Sequence, residues 1–186
     1  MTFTIVPERP QDAALIDPLL DRTFGPDREA RTVYRLRDGI APLPALSFSA
    51  IDGASDHRGG LLASLRFWPI LIEGASAILL GPLAVEPALQ GRGIGRSLVV
   101  HALAEARRLR HRLCVVVGEP AYYGPYGFVP AAPAGLILPG PVDPRRFQVL
   151  ELASGALDTM RGLIARDEAT TRHVQPARDL RGGAVA

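Results

Sequence analysis

The sequence predicts an α/β (α+β) fold in which helices flank a mixed, mainly antiparallel central sheet. Three apolar runs, residues 46–51, 61–72 and 77–85, follow one another with turn residues between them, which is typical of an antiparallel meander. Apolar residues then recur at helical spacing over residues 93–110, and a short apolar run follows at residues 113–117. A strand, a helix and a strand in that order predict a parallel crossover, which makes the sheet mixed.

The first forty residues predict three further elements. Residues 3–6 are rich in β-formers and predict a short strand. Residues 12–24 carry apolar side chains at helical spacing and predict the first helix. Residues 28–37 predict a second, strongly basic helix, which ends before the proline-broken stretch DGIAPLPA.

Two turns connect the three apolar runs. The stretch IDGASDHRGG, which contains His57, separates the first two runs and has the residues that a hairpin loop requires. Ile72-Glu73-Gly74-Ala75 separates the second and third runs and predicts a tight hairpin turn.

Length and composition predict one soluble domain. A chain of 186 residues with 47% hydrophobic side chains is large enough to bury a core of its own. We expect the domain to span residues 1–152. The C-terminal extension, residues 153–186, is polar and punctuated by glycine and proline, and we expect it to be loosely ordered or to dock on a neighbouring chain, as in a homodimer.

Charge and cysteine content exclude several classes of partner and chemistry. The 21 basic residues, all arginine, and the 19 acidic residues leave a net charge of +2, too small to indicate a nucleic-acid partner. The single cysteine, Cys114, excludes a disulfide framework and a multi-cysteine metal site. The chain shows neither a signal-peptide pattern nor an apolar run of membrane-spanning length, so we expect no membrane association and a cytoplasmic location.

A glycine-rich stretch, QGRGIGR at residues 90–96, lies where the third apolar run ends and the long helix begins. Glycines allow several backbone N–H groups to converge at a helix N-terminus, where an anion such as phosphate binds. A dinucleotide-binding loop requires GxGxxG and a later acidic residue, and a nucleotide-triphosphatase loop requires lysine; both requirements fail here. Two interpretations remain: a loop of the form Q/R-x-x-G-x-G/A, which holds the pyrophosphate of acyl-coenzyme A, and a simple glycine-rich helix cap.

Two segments in order, LGPLAVEPALQGRGIGRSLVVHAL and the later AYYGPYGF, resemble the GNAT superfamily of N-acetyltransferases. The resemblance implies parallel fourth and fifth strands, residues 77–85 and 113–117, that splay apart and admit pantetheine. It also implies acetyl-CoA as the acyl donor, direct transfer in a ternary complex to a primary amine of a small molecule or peptide, and no metal. A non-catalytic acyl-CoA-binding sensor or interaction domain is the alternative function.

The resemblance also indicates which residues bind the donor. Backbone groups of the fourth strand would pair with pantetheine, and amides of the glycine-rich loop would hold the pyrophosphate, with two arginines near phosphate. Gly81-Pro82 would supply a bulge in the strand. The predicted donor-binding residues are Leu83, Ala84, Val85, Gln90, Gly91, Arg92, Gly93, Ile94, Gly95 and Arg96.

Tyr123 occupies the first position of a Y-x-x-x-G-F pattern, where the family's tyrosine often protonates the departing thiolate. A phenol pKa near ~10 and a thiol pKa near ~8.5 make that transfer chemically reasonable. Glu86 and Glu73 follow strands and are candidate bases for the amine, although each is equally compatible with a solvent-facing carboxylate. Glu119 is expected to cap the short helix that contains Tyr123, and His101 is expected to pack or to face solvent.

The chain departs from many relatives at the start of the short helix that contains Tyr123. The stretch GEPAYY is shorter than in many relatives and lacks their asparagine, which puts pantetheine contacts in this helix in doubt.

The acceptor wall should come from residues before 76, namely FGPDREARTVYRLRDGI and SLRFWPI, which includes Trp68. Neither segment identifies the acceptor.

Overall fold

The computed structural model describes residues 2–53 and 60–171, so His57 and residues 172–186 lie outside the described residues. Within them, the chain forms nine strands and five α-helices. The strands are β1 (Phe3–Pro7), β2 (Phe48–Asp52), β3 (Leu61–Ile72), β4 (Ala75–Val85), β5 (Leu113–Val117), β6 (Val129–Pro130), β7 (Leu136–Ile137), β8 (Phe147–Glu151) and β9 (Gly162–Arg166). The helices are α1 (Ala13–Phe24), α2 (Ile94–Arg108), α3 (Pro120–Tyr123), α4 (Ala156–Thr159) and α5 (Glu168–Thr171).

The described strands form one mixed sheet, as the sequence predicts. Strands β1 to β4 form an antiparallel meander, and β5 follows β4 in parallel through the crossover helix α2. Beyond β5, the antiparallel strands β8 and β6 complete the order β1-β2-β3-β4-β5-β8-β6. The parallel β4–β5 pair therefore lies inside the sheet, with antiparallel strands on either side, and β7 and β9 form a second parallel pair.

The turn between β3 and β4 has the chemistry that the sequence predicts. Glu73 and Gly74 have φ angles of 47° and 83°, as the two central residues of a type I′ hairpin turn require. The Glu73 carboxylate accepts a hydrogen bond from the backbone N–H of Leu163 on β9, at 2.9 Å. Glu73 thus lies beside the first residue of β4, whereas Val85 and the cleft lie at the other end of this strand. This separation removes Glu73 from the candidate bases of the cleft.

Strand β4 contains the predicted bulge at Gly81-Pro82. Leu80 pairs with Phe67 and Leu83 pairs with Leu65, so two residues on β4 lie opposite one residue on β3. An extra residue reverses the alternation of side chains between the two faces of a strand. As a result, Ile78 and Leu80 before the bulge and Leu83 and Val85 after it all face the core packed against α2, whereas Ala84 faces α1.

Strands β4 and β5 part after a short contact. They pair only at Ile78 with Cys114 and at Leu79 with Val115, although β4 continues to Val85 and β5 to Val117. Cys114 is completely buried in this pair, and burial raises the pKa of its thiol, in keeping with a structural residue. The parallel, splayed arrangement confirms the predicted fold class.

The helix predicted over residues 28–37 is wrong. Two short 3₁₀ turns, Pro26–Ala30 and Thr32–Leu36, replace it, and Arg31 between them is extended, with φ −69° and ψ 140°. The physical reason is the shortage of apolar anchors, since Leu36 is the only buried residue of the two turns. Side-chain contacts fix the segment instead: the Thr32 hydroxyl donates a hydrogen bond to the backbone carbonyl of Pro141.

The sheet continues beyond residue 152, within the segment expected to be a loosely ordered extension. Residues 164–166 of β9 pair with residues 70–72 of β3. Strand β2 pairs with the same edge of β3, but nearer to the start of β3. Met160 and Ile164 are buried beside this pairing. The described part of the segment is therefore attached to the sheet, and the division of the chain into one domain and an extension stays a prediction.

Candidate functional site

A cleft of about 960 Å³ opens where β4 and β5 part. Its walls come from β4, the glycine-rich loop and the start of α2, the end of β5 with α3, and the two 3₁₀ turns near the N-terminus. Residues of the first segment predicted to form the acceptor wall, FGPDREARTVYRLRDGI, thus line the cleft, whereas no residue of the second, SLRFWPI, does. The lining residues include Thr23, Phe24, residues 30–34, Arg37, residues 80–83, Val85, Gln90, Gly91, residues 93–96, residues 116–119, Tyr122, Tyr123 and residues 141–143.

The edge of β4 that faces this cleft carries unpaired backbone groups. The Glu86 N–H donates to the Leu62 carbonyl on β3 at 2.8 Å, so even-numbered residues after the bulge direct their backbone groups toward β3. Odd-numbered residues direct theirs the other way: the Val85 carbonyl accepts a hydrogen bond from the Gln90 side-chain amide at 3.3 Å. Leu83 and the N–H of Val85 are therefore directed toward the cleft, whereas the Val85 carbonyl also accepts a hydrogen bond from the Thr23 hydroxyl at 3.5 Å and Ala84 pairs with β3.

The glycine-rich loop presents backbone N–H groups at the start of α2. Gly93 has a φ of 85° and precedes the helix, and the Ser97 N–H makes the first helical bond, to the Gly93 carbonyl at 3.0 Å. The N–H groups of Ile94, Gly95 and Arg96 therefore precede the intrahelical ladder and are available to an anion. Arg92 of the predicted set does not line the cleft.

Close packing at Gly95 explains why a glycine is needed there. A Cβ at this position would lie 3.1 Å from Cγ2 of Val85 and 2.9 Å from the hydroxyl of Tyr122. The start of α2 can thus lie directly against β4 and α3. Because Gly95 has no side chain, α2, β4 and α3 can pack closely together at this point of the cleft.

Tyr123 lies on the α3 side of the cleft and is largely buried, with 8% of its surface exposed. Its ring meets those of Tyr122 and Phe128 edge to face, with centroid distances of 5.0 Å and 5.6 Å. Burial raises the pKa of the Tyr123 phenol, and the neighbouring Tyr122 adds to the increase, while the charge of Arg37 opposes it. Tyr123 is consequently neutral at physiological pH, and burial makes its phenol a weaker acid than a solvent-exposed tyrosine.

The predicted acidic residues lie at the margins of the cleft. The Glu86 carboxylate accepts a hydrogen bond from Arg22 at 2.9 Å and does not line the cleft. Glu119 occupies the N-cap position of α3 but makes no capping hydrogen bond, and its carboxylate forms an ion pair with Arg146 at 3.1 Å.

His101 of α2 lies away from these groups. Its ring packs edge to face on the Phe48 ring, with a centroid distance of 4.7 Å. The contact agrees with the packing role expected from the sequence.

Arg37 is a cleft residue that no pattern in the sequence selects. Its side chain lies over the rings of Tyr34 and Trp68, with the guanidinium carbon 4.7 Å and 5.9 Å from the ring centroids. It approaches β4 at the bulge, where a Cβ on Gly81 would lie 3.3 Å from its Nη2 atom. Burial lowers the pKa of the guanidinium to about 10, so it remains charged at neutral pH.

Comparisons with known proteins identify similar chains. No protein-family model matches the chain. The uncharacterized N-acetyltransferase YhbS of Escherichia coli K12 is 35% identical over 164 residues, which cover 87% of this chain and 94% of the relative. The crystal structure of YhbS from Escherichia coli in complex with CoA has a TM-score of 0.74 at 34% identity, and the match covers 89% of this chain and 90% of the YhbS chain.

A second solved structure is similar over most of its length. A GNAT family acetyltransferase from Brucella melitensis in complex with acetyl-CoA has a TM-score of 0.63 at 32% identity, and the match covers 90% of this chain and 97% of the other. Among residues 2–53 and 60–171 of the present chain, no helix is long and apolar enough to cross a membrane. No group of three or more potential metal ligands occurs in the same described ranges.

The position of Tyr123 depends on the absence of a side chain at Gly118. A Cβ there would lie 2.2 Å from Cε2 of the Tyr123 ring, so Gly118→Ala must displace the ring or the backbone. We expect this substitution to lower the free energy of unfolding by about 1–3 kcal/mol, the usual cost of overpacking. Urea unfolding measures the change.

Tyr123→Ala provides the control background for that substitution, because the three atoms nearest to a Cβ on Gly118 all belong to the Tyr123 ring. Once the ring is absent, Gly118→Ala should change the free energy of unfolding by less than about 0.5 kcal/mol. An equal cost of Gly118→Ala in both backgrounds would contradict the described packing of Tyr123 on Gly118.

Proposed function

The chain belongs to the GNAT family of N-acetyltransferases, and we propose that its cleft transfers an acetyl group from acetyl-CoA to a primary amine by direct attack in a ternary complex. The chain is an acetyl-CoA-dependent N-acyltransferase, like the relatives described above. The observation that carries the proposal is the parting of β4 and β5 beside a glycine-rich helix start, since the two features together form a site for an extended ligand with amides at one end and phosphates at the other.

The residues present fit acetyl-CoA as the donor substrate. Leu83 and Val85 offer backbone hydrogen-bonding groups along the open edge of β4, which suits the amides of pantetheine. The N–H groups of residues 94–96, with the side chain of Arg96 beside them at the cleft, suit the pyrophosphate. We propose that these groups bind the donor and that Ala84 and Arg92 have supporting positions outside the cleft.

The reaction converts a neutral amine and the thioester into an N-acetyl amide and free thiol. A nitrogen–carbon bond forms, the carbon–sulfur bond breaks, the amine nitrogen loses one proton and the sulfur gains one. Acetyl-CoA supplies the activated acyl carbon, and the chain supplies orientation, exclusion of water and proton transfer.

We propose that Tyr123 donates the proton that the sulfur gains. It lines the cleft on α3, just beyond the end of β5, and carries a protonated hydroxyl at physiological pH. Negative charge develops on the sulfur as the carbon–sulfur bond breaks, and a neutral phenol close to it can deliver a proton in the same step. Tyr122 and Tyr126 pack against Tyr123 and complete the aromatic group.

The two carboxylates predicted as bases for the amine lie outside the cleft. Glu73 belongs to the turn at the far end of β4, and Glu86 forms a salt bridge with Arg22 that favours a structural role. An amine that loses its proton to water before it enters the cleft needs no carboxylate for this step. Glu86 stays a predicted base, and the cytoplasmic location and the homodimer also stay predictions from the sequence.

Donor binding is tested by Gly93→Asp. The new carboxylate would lie beside the N–H groups of residues 94–96 and repel the pyrophosphate, so we expect at least about a tenfold loss of acetyl-CoA affinity in calorimetry. Gly74→Asp is the matched control, because Gly74 has a similar φ, 83° against 85°, and lies at the β3–β4 turn. Equal affinities for the two variants would contradict the assigned phosphate site.

The role of Tyr123 is tested by Tyr123→Phe, which removes the hydroxyl and keeps the ring. General acid catalysis typically contributes about 10²–10⁴-fold, so the chemical step should slow by that order while acetyl-CoA affinity stays within a few-fold. Single-turnover release of free thiol measures the step. Tyr126→Phe is the control, since Tyr126 does not line the cleft. An unchanged chemical step in Tyr123→Phe would remove the assigned role.

The role of Glu86 is tested by Glu86→Gln. If Glu86 only pairs with Arg22, turnover should change by less than about threefold, because an exposed ion pair contributes about 0–1 kcal/mol. Steady-state thiol release across the range from about pH 6 to about pH 9 measures the effect. A loss of about 10²-fold or more, with a changed pH profile, would instead establish Glu86 as the base.

A further inference from the structure

A second pocket, of about 430 Å³, adjoins the cleft on the side of α1 and β3. Tyr34, Arg37 and Pro82 line both this pocket and the cleft. Arg37 therefore stands at the boundary between the two spaces. We name the second space the side pocket; its charged lining residues include Asp17, Arg28, Glu29, Arg37, Asp38 and Arg66.

The guanidinium of Arg37 is buried without a carboxylate partner among the described residues. Only 8% of Arg37 is exposed, and its side chain lies against the rings of Tyr34 and Trp68. The Tyr34 side chain stabilises the charge through a hydrogen bond, but a buried charge without a counter-ion is still costly, so an anionic ligand would stabilise it further. Three acidic residues line the side pocket and form no ion pair with Arg37 within the described ranges: Asp17, Glu29, which pairs with Arg28, and Asp38, which lies 3.9 Å from Arg166.

The two other arginines with largely buried side chains in the side pocket are already neutralised. Arg66 makes a bidentate pair with Glu8, at 2.8 Å and 2.7 Å, and Arg28 pairs with Asp21. One buried cation, Arg37, is thus left for a ligand in the part of the chain that the structure describes. A single guanidinium matches a monoanion better than a dianionic phosphate.

Several residues that line the side pocket have side-chain donors without a hydrogen-bond partner. Five buried side-chain nitrogen and oxygen atoms of the described residues have no hydrogen-bond partner, and three of them belong to residues of the side pocket. These three are Nε of Arg28, Nε of Arg37 and Nε1 of Trp68, and each can only donate. A ligand that satisfies them must supply acceptor oxygens.

We propose that the acceptor is a small amino carboxylic acid, whose carboxylate binds Arg37 while its amine faces the cleft. This inference rests on the proposed acetyl transfer and narrows its acceptor. A carboxylate carries one negative charge and two acceptor oxygens, and the planar guanidinium binds it in a bidentate manner. Because Arg37 also lines the cleft beside β4, a carboxylate held there keeps a nearby amine within reach of the parted strands.

The test compares matched acceptors on the wild-type protein. L-amino acids and ω-amino acids are assayed with acetyl-CoA beside their carboxamides and beside the amines that lack the carboxylate, and free thiol is measured. A charge-assisted hydrogen bond is worth about 10- to 100-fold, so the best acid should exceed its amide and its plain amine in kcat/KM by at least that factor. This comparison needs no variant and so does not depend on how well a buried arginine can be replaced.

The assignment to Arg37 is tested by Arg37→Gln and Arg37→Lys. In Arg37→Gln the advantage of the acid over its amide should disappear, mainly through a higher KM for the acid, while the KM for acetyl-CoA stays within a few-fold. Arg37→Lys keeps the charge and should restore part of the advantage. Arg108→Gln is the control, since Arg108 lies exposed on α2 and pairs only with Glu105 in the described structure.

The outcomes separate this inference from the proposed function. Equal kcat/KM for acid, amide and amine would overturn the inference and leave acetyl transfer to amines intact. An advantage of the acid that survives Arg37→Gln would overturn the role of Arg37. Acetyl-CoA binding without turnover of any amine in the panel would contradict both, and would favour a protein that senses acyl-CoA.

Discussion

The parallel contact between β4 and β5 ends at Leu79 and Val115, and the rest of the site depends on that separation. Two strands that remained paired would satisfy each other's backbone groups and would close the sheet. Because they part, Leu83 and Val85 keep an open edge, and the space beside it reaches both the start of α2 and the ring of Tyr123. The proposed donor site and the proposed proton donor thus both depend on one interruption of the ladder.

The bulge at Gly81-Pro82 gives this open edge its orientation. One extra residue exchanges the faces of β4, so Leu83 and Val85 lie toward α2 and the cleft, and Ala84 packs under α1. Proline at position 82 has no N–H to give to a neighbouring strand. The same bulge brings β4 against Arg37, so a local irregularity joins the donor edge to the proposed acceptor pocket.

Strong periodicity and turn chemistry allowed the central elements to be predicted from the sequence. The bounds of β3 and β5 and the Glu73-Gly74 turn agree with the structure because apolar spacing and positive-φ residues are local signals. The prediction of a basic helix at residues 28–37 was wrong because this charged segment has too few apolar residues to anchor a helix on the core. Arg37 could not be selected, because only tertiary packing shows which arginine of the described residues is buried without a carboxylate partner.

Amide hydrogen exchange with and without acetyl-CoA tests the central claim most directly, because the proposed donor contacts are backbone N–H groups. We expect acetyl-CoA to slow exchange at Leu83 and Val85 and at residues 94–96, and to leave Ala84, which already pairs with β3, unchanged. Unaltered exchange along the open edge of β4 and at the start of α2, despite saturating acetyl-CoA, would contradict the proposed donor site.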